Sequence, residues 1–420
     1  MSGPGATADS NLPLAGVQIL DLSRVVSGPL CSRLLADLGA DVIKVEPPEG
    51  DVTRTAQPLI DGVSPYFAQM NAGKRAITID LKNPDGAGIV ERLAARADVL
   101  LENFRPGVLA RLGLDPQRLR ETNPGLIVCS VTGWGQTGPW RDRKAYAPMV
   151  HAQAGLIEMA SRLRGRPAEQ ETQIHGDVYA AIFAACAVLS ALHQRGRTGQ
   201  GQALDVAMAH ALLYANEWAG VELQRPTTAD LRARPGEFTE LDRGGFDIWL
   251  HPVFLLGDGS QVALVGRAVT QLPAILDALD ADKASLEDLR LRQGNPAERD
   301  TFARGAIAQE LVKLADFPAL SAAFAGSPVL FAEVRSFADL AATEWASERQ
   351  LIAEAGPGLP LPRGPWRSDQ SDPRLGGPPP RQGEHSRAIL AELGCTDTEI
   401  EQLRASGAVT WRSQEGSGVA

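Results

Sequence analysis

Asp177 is the residue in this 420-residue chain whose setting most invites chemistry. It follows Gly176 and opens the apolar run Val178–Leu192. A carboxylate at a helix N-terminus is kept ionised by the helix dipole and by amide donors. An ionised carboxylate in a substrate cleft can attack an activated acyl group. The same spacing suits a simple helix cap, because Asp is a common N-cap and Gly frees the backbone. Spacing alone leaves both readings open. His175 lies two residues away, but near neighbours on a strand or helix start point in different directions, so it reads as structural.

Other residue clusters point to an anionic ligand. Gly133-Trp134-Gly135-Gln136-Thr137-Gly138 is a GxGxxG string after a strand. A dinucleotide fingerprint would open a helix there. The polar run Pro139–Arg143 follows instead, so the string reads as a Gly-rich loop at the carboxyl end of a strand. Lys144 and Tyr146 come directly after it. Asn103-Phe104-Arg105-Pro106-Gly107 follows another strand end, with Arg111 close behind. Lys74 and Arg75 precede a third strand. Lys74, Arg75, Arg105, Arg111 and Lys144 are expected to form a local anion site. The overall charge of −10, from 41 basic and 51 acidic residues, argues against a nucleic-acid protein held by bulk positive charge. It leaves room for a small anionic ligand.

Several classes of chemistry lack their motif. There is no GxSxG, and the six histidines form no HExxH pattern. Cys31, Cys129, Cys186 and Cys395 are too scattered for a metal or redox pair, so no metal is expected. Met1–Leu12 lacks the basic and apolar regions of a signal peptide. Val178–Leu192 is short for a bilayer span and reads as a buried helix. The expectation is a cytoplasmic protein without membrane contact.

The elements that must position these residues alternate. Val17–Asp21 reads as a strand, the run after Ser27-Gly28-Pro29 as a helix ended by Gly39, and Asp41–Glu46 as a strand. Ser27 reads as the helix cap there. Strand patterns at Ala76–Leu81, Asp98–Asn103 and Leu126–Val131 alternate with helical ones at Asp85–Ala97 and Pro116–Glu121. This is the signature of a doubly wound α/β domain. Longer helices are expected over Tyr146–Ala160, Val178–His193 and Ala207–Glu222, then a polar linker over Pro226–Gly245. Gly257-Asp258-Gly259 signals a hairpin, and helical patterns fill Val269–Ala325, as in a smaller α+β domain. Gly356–Gly383 is Pro/Gly-rich and reads as a long irregular connection. Glu384–Leu393 and Thr398–Ala405 read as two short helices needing cover.

These stretches, taken in order, resemble the family III CoA-transferases of the formyl-CoA:oxalate and carnitine type. The resemblance rests on residues 16–54, NAGKR at 71–75, ADVLLENFRPGVLARLGL at 97–114, GWGQTGPW at 133–140, KAY at 144–146, HGDVYAA at 175–181, TGQGQALDVAM at 198–208 and GEHSRAILAELG at 383–394. It implies a Rossmann-like large domain built from both chain ends, residues 1–225 and 336–420, with a small domain inserted at 226–335. It further implies an interlocked homodimer. It makes Asp177 the nucleophile of CoA transfer, working through an aspartyl anhydride and an aspartyl-CoA thioester. It puts Asn103, Phe104, Arg105, Arg111, Lys144 and Tyr146 around CoA, Lys74 and Arg75 in the same anion site, and Val25, Val26, Gly244 and Gly245 at the acyl end. CoA and acyl-CoA enter as substrates, with a small carboxylic acid as acceptor and no tightly bound cofactor.

Two departures qualify the likeness. Formyl/oxalate members carry Gln where this chain has Val26, which points to a more apolar acyl group. Related α-methylacyl-CoA racemases carry a His-Asp pair where this chain has Tyr146-Ala147. Inverting an α-carbon needs two opposed acid/base groups, so transferase is preferred to racemase, and intramolecular CoA transfer on the same fold stays open as an alternative.

Overall fold

The computed structural model describes residues 11–164, 167–225, 227, 230, 251–292 and 296–411. The chain divides into two compact units. The first holds residues 1–156, 170–220 and 344–420, and the second holds 157–169 and 221–343. The second unit thus takes in residues 157–169, which the sequence-based division at 225 leaves in the large domain.

In chain order the first unit begins β1 (Gln18–Asp21), α1 (Ser27–Asp37), β2 (Asp41–Glu46), α2 (Pro65–Asn71), β3 (Arg75–Ile79), α3 (Pro84–Ala94) and β4 (Val99–Glu102). The chain continues α4 (Val108–Arg111), α5 (Pro116–Thr122), β5 (Ile127–Thr132), α6 (Ala147–Gln153), α7 (Leu156–Arg164), α8 (His175–Thr198), β6 (Ala203–Ala207), α9 (Met208–Ala215) and α10 (Ala219–Glu222), of which α7 from Ile157 on and the second half of α10 belong to the second unit. Strands β1 to β6 are parallel in the order β3-β2-β1-β4-β5-β6. Every residue of β4 and β5 is buried, as expected where helices cover both faces of a parallel sheet. Alternate strand residues feed two cores. Ile19, Val99, Leu101, Ile127 and Cys129 pack toward α1, α8 and α9, while Leu20, Leu100 and Val128 pack toward α3 and α5.

The expected helix at 146–160 breaks at Gly155, whose φ of +89° suits glycine and separates α6 from α7. The one expected over 207–222 ends at Ala215. Helix α8 is longer than its apolar run. It buries Ala180, Ala181, Ala184, Ala185 and Ala191, whose small side chains let it lie close on α1 and β5. Its other face leaves Ile182 and Leu189 exposed.

The second unit has an antiparallel sheet of β7 (Val253–Leu255), β8 (Gln261–Leu264) and β9 (Phe331–Glu333). Helices α11 (Ala268–Ala278), α12 (Ala284–Leu291), α13 (Pro296–Leu311), α14 (Phe317–Ala323) and α15 (Phe337–Ala341) accompany it. Phe254, Val262, Leu264, Leu272, Ile275 and Ile307 form its core. The hairpin at Gly257-Asp258-Gly259 forms as its sequence predicts. Gly244 and Gly245 lie outside the described residues.

The chain then returns to the first unit. After α16 (Glu344–Arg349), strands β10 (Ile352–Glu354) and β11 (Pro360–Pro362) pair antiparallel. This corrects the expectation that Gly356–Gly383 holds no regular structure. A two-stranded ribbon has free edges that tolerate proline, and Leu361 is buried with Ala68 and Ala72. Helices α17 (Ser386–Glu392) and α18 (Asp397–Ala405) cover the α3 side, and β12 (Val409–Thr410) adds antiparallel to β3. Both ends of the described chain therefore build one sheet.

Candidate active site

The strand order turns at β1, where β2 lies on one side and β4 on the other. Open α/β sheets bind ligands at such a switch point, beyond the strand carboxyl ends. The loops after β1 and β4 meet there through Asn103. Its Oδ1 accepts the Arg24 N–H at 2.9 Å, and its Nδ2 donates to the Arg24 carbonyl at 2.8 Å and to Ser27 Oγ at 3.3 Å.

The loop so held is bent against its preference. Val25 has a φ of 68°, a left-handed conformation rare for a β-branched residue. Its N–H donates to Asp51 Oδ2 at 3.2 Å. The same oxygen accepts from Lys44 Nζ at 3.1 Å, and Lys44 also donates to the Ser23 carbonyl at 3.0 Å. Beneath the loop, Asp21 accepts from the hydroxyls of Ser23 and Ser32 and from Lys74. Charges on β1, on β2 and in the loops beside them thus fix the turn into α1 from below.

Asp177 is the third residue of α8. Ile174 occupies the N-cap position and makes no side-chain cap. The carboxylate instead lies beside Ser27 at the start of α1. This excludes the helix-cap reading of Asp177. The cap expected at Ser27 is corrected too, because Ser27 is the first residue of α1 and its hydroxyl accepts from Asn103. Burial pushes the Asp177 carboxyl up to about 6, and the neighbouring Ser27 dipoles pull the other way. It remains mostly ionised at neutral pH.

The surroundings of Asp177 are aromatic and sparse in charge. Burial and the charges of Asp177 and Asp51 raise the phenol of Tyr66, on α2. The Gly176 N–H donates to Nε2 of the buried His151 at 3.0 Å, so an imidazole replaces the missing cap. Burial and His175 lower the His151 pKa, keeping the ring neutral. A Cβ at Gly176 would lie 3.4 Å from Met208 Cε and 3.5 Å from both His151 and Leu212. These are ordinary contact distances, so α8 starts packed against α6 and α9.

The other expected site residues divide. Arg105, Arg111, Lys144 and Tyr146 are exposed, and Phe104 is half-buried against the α3-side core. They leave from β4 and β5, adjacent strands of the sheet. Val25 is half-exposed, whereas Val26 is fully buried and presents no surface to a substrate. The argument from Val26 to an apolar acyl pocket loses its footing.

Lys74 and Arg75 are corrected more strongly. Lys74 is sealed beneath the loop, donating to Asp21 at 3.1 Å, the Pro29 carbonyl at 2.9 Å and Asn71 at 2.8 Å. Arg75 reaches Asp41 at 2.6 Å and Glu392 at 2.8 Å, tying α17 to the start of β2. Both are structural cations because carboxylates already satisfy them. Sequence reasoning missed Lys44, Asp51 and Tyr66, which carry no motif of their own. It also missed Glu102, whose carboxyl is pushed by burial up to about 7 and lies level with Ser130 and Asp205 across β4, β5 and β6.

A family model described as CoA-transferase family III matches residues 14–386. The chain belongs to CoA-transferase family III. It is a CoA-transferase by that membership, with named transferases as near full-length relatives. It is 32% identical over 401 residues to a succinate–glutarate CoA-transferase of Agrobacterium fabrum, covering 91% of this chain and 96% of that protein. It is 32% identical over 414 residues to a succinyl-CoA–D-citramalate CoA-transferase of Chloroflexus aurantiacus, covering 94% and 97%. Among solved structures, a CAIB/BAIF family protein from Brucella suis superposes with a TM-score of 0.75 at 31% identity, covering 91% of this chain and all of that one.

Proposed function

We propose that this family III transferase moves CoA from an acyl-CoA to a small carboxylic acid through covalent intermediates on Asp177. A carboxylate oxygen of Asp177 attacks the thioester carbonyl, the C–S bond breaks, and CoA leaves as thiolate with a mixed anhydride left behind. The thiolate attacks the Asp177 carbonyl, giving an aspartyl-CoA thioester and releasing the donor acid. The acceptor carboxylate attacks that thioester and frees CoA thiolate again. Attack of the thiolate on the acceptor's acyl carbon yields the new acyl-CoA and restores Asp177.

The observation that carries this reading is the state of Asp177. Its carboxylate caps no helix and lies beside Ser27, whose hydroxyl is tied to the β4 loop at the sheet switch point. Burial makes it more basic than an ordinary aspartate, hence a better nucleophile toward an acyl carbon, yet ionised at neutral pH. The exposed cations Arg105, Arg111 and Lys144 suit the phosphates of CoA, and Tyr146 and Phe104 its adenine and pantetheine. The relatives' names favour dicarboxylic acids as the donor and acceptor pair. No cofactor beyond these substrates takes part.

The interlocked homodimer belongs to the same proposal. Its support is the apolar surface of Ile182, Leu189, Leu213 and Tyr214 on α8 and α9, which a single chain leaves open. A cytoplasmic location is proposed with it, consistent with four free cysteines.

The test uses acyl-CoA with and without acceptor. Trapping with hydroxylamine or borohydride followed by peptide mass spectrometry is expected to mark Asp177. Asp177→Ala is expected to lose transfer entirely, and full transfer in that variant would overturn the reading.

A further inference from the structure

We infer that His151 is a positioning residue for the nucleophile. Its ring, fixed with the proton on Nδ1, accepts the Gly176 N–H and so holds the first turn of α8, which carries Asp177. The inference rests on the reading of Asp177 as nucleophile.

Helix α8 brings no cap of its own. Its N-cap position is Ile174, which offers no side-chain acceptor. Gly176 is the second residue of the helix, where an amide has no partner within the helix. Gly176 is buried, so leaving that amide unpaired would be costly. The acceptor comes from α6, 25 residues earlier, as Nε2 of His151 at 3.0 Å. His151 is 1% exposed, and a Cβ on Gly176 would lie 3.5 Å from that nitrogen. The bond and the contact together set how α8 starts against α6.

The bond also settles the protons of the ring. An amide N–H can only donate, so Nε2 presents its lone pair and the neutral ring carries its proton on Nδ1. Burial and His175 both disfavour the charged ring, which would set an N–H against the amide. The Nδ1 atom is buried and has no hydrogen-bond partner among the described residues. An unpaired buried donor works against folding. A leucine in the same place would avoid that cost, so the acceptor nitrogen is what the histidine contributes.

The neighbouring groups offer no substitute. The ring of His175, on α8 itself, lies 6.1 Å from that of His151 and 5.5 Å from that of Tyr179, centre to centre. Helix α9 brings apolar Met208 and Leu212 against Gly176.

A neutral cap has a chemical use here. Helix caps are most often Asp, Asn, Ser or Thr. An acidic cap would put a second negative charge near Asp177 and oppose its ionisation. Asp177 gives up its charge when acylated and regains it when the product leaves. An uncharged imidazole holds Gly176 alike in both states, so the first turn keeps the reacting side chain in one place.

The experiment compares wild type with His151→Leu, which keeps bulk and removes the acceptor, and His151→Gln, which keeps a neutral acceptor oxygen. Steady-state kinetics with succinyl-CoA and glutarate are recorded alongside melting temperatures. His151→Leu is expected to lower kcat about tenfold or more, with KM for the acyl-CoA within about twofold of wild type. His151→Gln is expected to recover most of that loss. Nitrogen NMR of histidine-labelled wild type, with the His151 signals identified by their loss in His151→Gln, is expected to show a protonated Nδ1 and a bare Nε2. A wild-type kcat in His151→Leu, an equal loss in His151→Gln, or a proton on Nε2 would overturn the inference. Should His151→Leu not fold, the wild-type tautomer and the kcat of His151→Gln decide it, and the NMR reading needs no turnover. Trapping separates this from the parent reading. A mark on another residue removes Asp177 as nucleophile, whereas with Asp177 marked the adverse outcomes count against His151 alone.

Discussion

Lys74 Nζ lies 3.1 Å from Asp21 Oδ2, with neither side chain exposed to solvent. Burial lowers the Lys74 pKa to about 8, while Lys74 and Lys44 hold the Asp21 carboxyl below its ordinary value. Removing one partner strands the other. Lys74→Met is expected to cost about 3–5 kcal/mol in urea unfolding, and Asp21→Asn/Lys74→Met to recover much of that. A Lys74→Met protein of normal stability but weak CoA binding would return Lys74 to the ligand.

Transfer activity should fall below about pH 6. The Asp177 pKa is raised to about 6, so the nucleophilic form predominates above that value and is lost beneath it. The acid limb of kcat/KM, measured with a saturating acceptor acid, reports this. A limb near pH 4, the value of an unburied aspartate, would contradict the burial argument.

The same shift has the opposite sign for stability. A carboxyl whose pKa is higher folded than unfolded binds more protons in the folded state between about pH 4 and 6, so stability declines across that window as pH rises. Asp177→Asn should relieve the cost of the buried charge. Thermal unfolding at pH 8 is expected to show a variant more stable by about 1–3 kcal/mol, with the gain gone near pH 4. A destabilised variant at pH 8 would mean that the surroundings favour the charge.

Arg105→Ala and Lys144→Ala should act on binding. Each is expected to raise KM for acyl-CoA about tenfold with little change in kcat, because contacts to a remote phosphate serve ground and transition states alike. Steady-state kinetics at two salt concentrations tests this, since loss of a phosphate contact should flatten the salt dependence.

Arg75→Ala should do the reverse. Its two carboxylate partners, Asp41 and Glu392, join parts of the chain far apart in sequence. The variant is expected to lose about 1 kcal/mol of stability, given its partial exposure, and to keep its KM for acyl-CoA. A raised KM at unchanged stability would reverse the correction made for Arg75.

Much of this architecture is written in local patterns. The alternation from Val17 to Val131 announces a parallel sheet because apolar runs and helical spacing are properties of short windows. Gly176-Asp177 is equally visible. What Asp177 faces is not, since Ser27 lies 150 residues earlier and its Ser-Gly-Pro context looks like a helix cap. Lys74 illustrates the same limit. A lysine in a Gly-flanked motif looks like a ligand contact until Asp21, from another strand, is found waiting for it. Strand β12 escapes notice because two residues carry no periodicity. Val26 misleads because burial of a loop valine depends on how the chain turns, and that turn is set by Lys44 and Asp51 from below.

The antiparallel addition of β12 to β3 has a consequence for synthesis. The Thr78 N–H donates to Ser386 Oγ across 308 residues of sequence, and β12 pairs with the same strand. While the chain is being made, β3 waits with a bare edge until Val409 and Thr410 have emerged. A bare strand edge on an unfinished chain invites pairing with other chains. A chain stopped short of Val409 would keep that edge open to pairing.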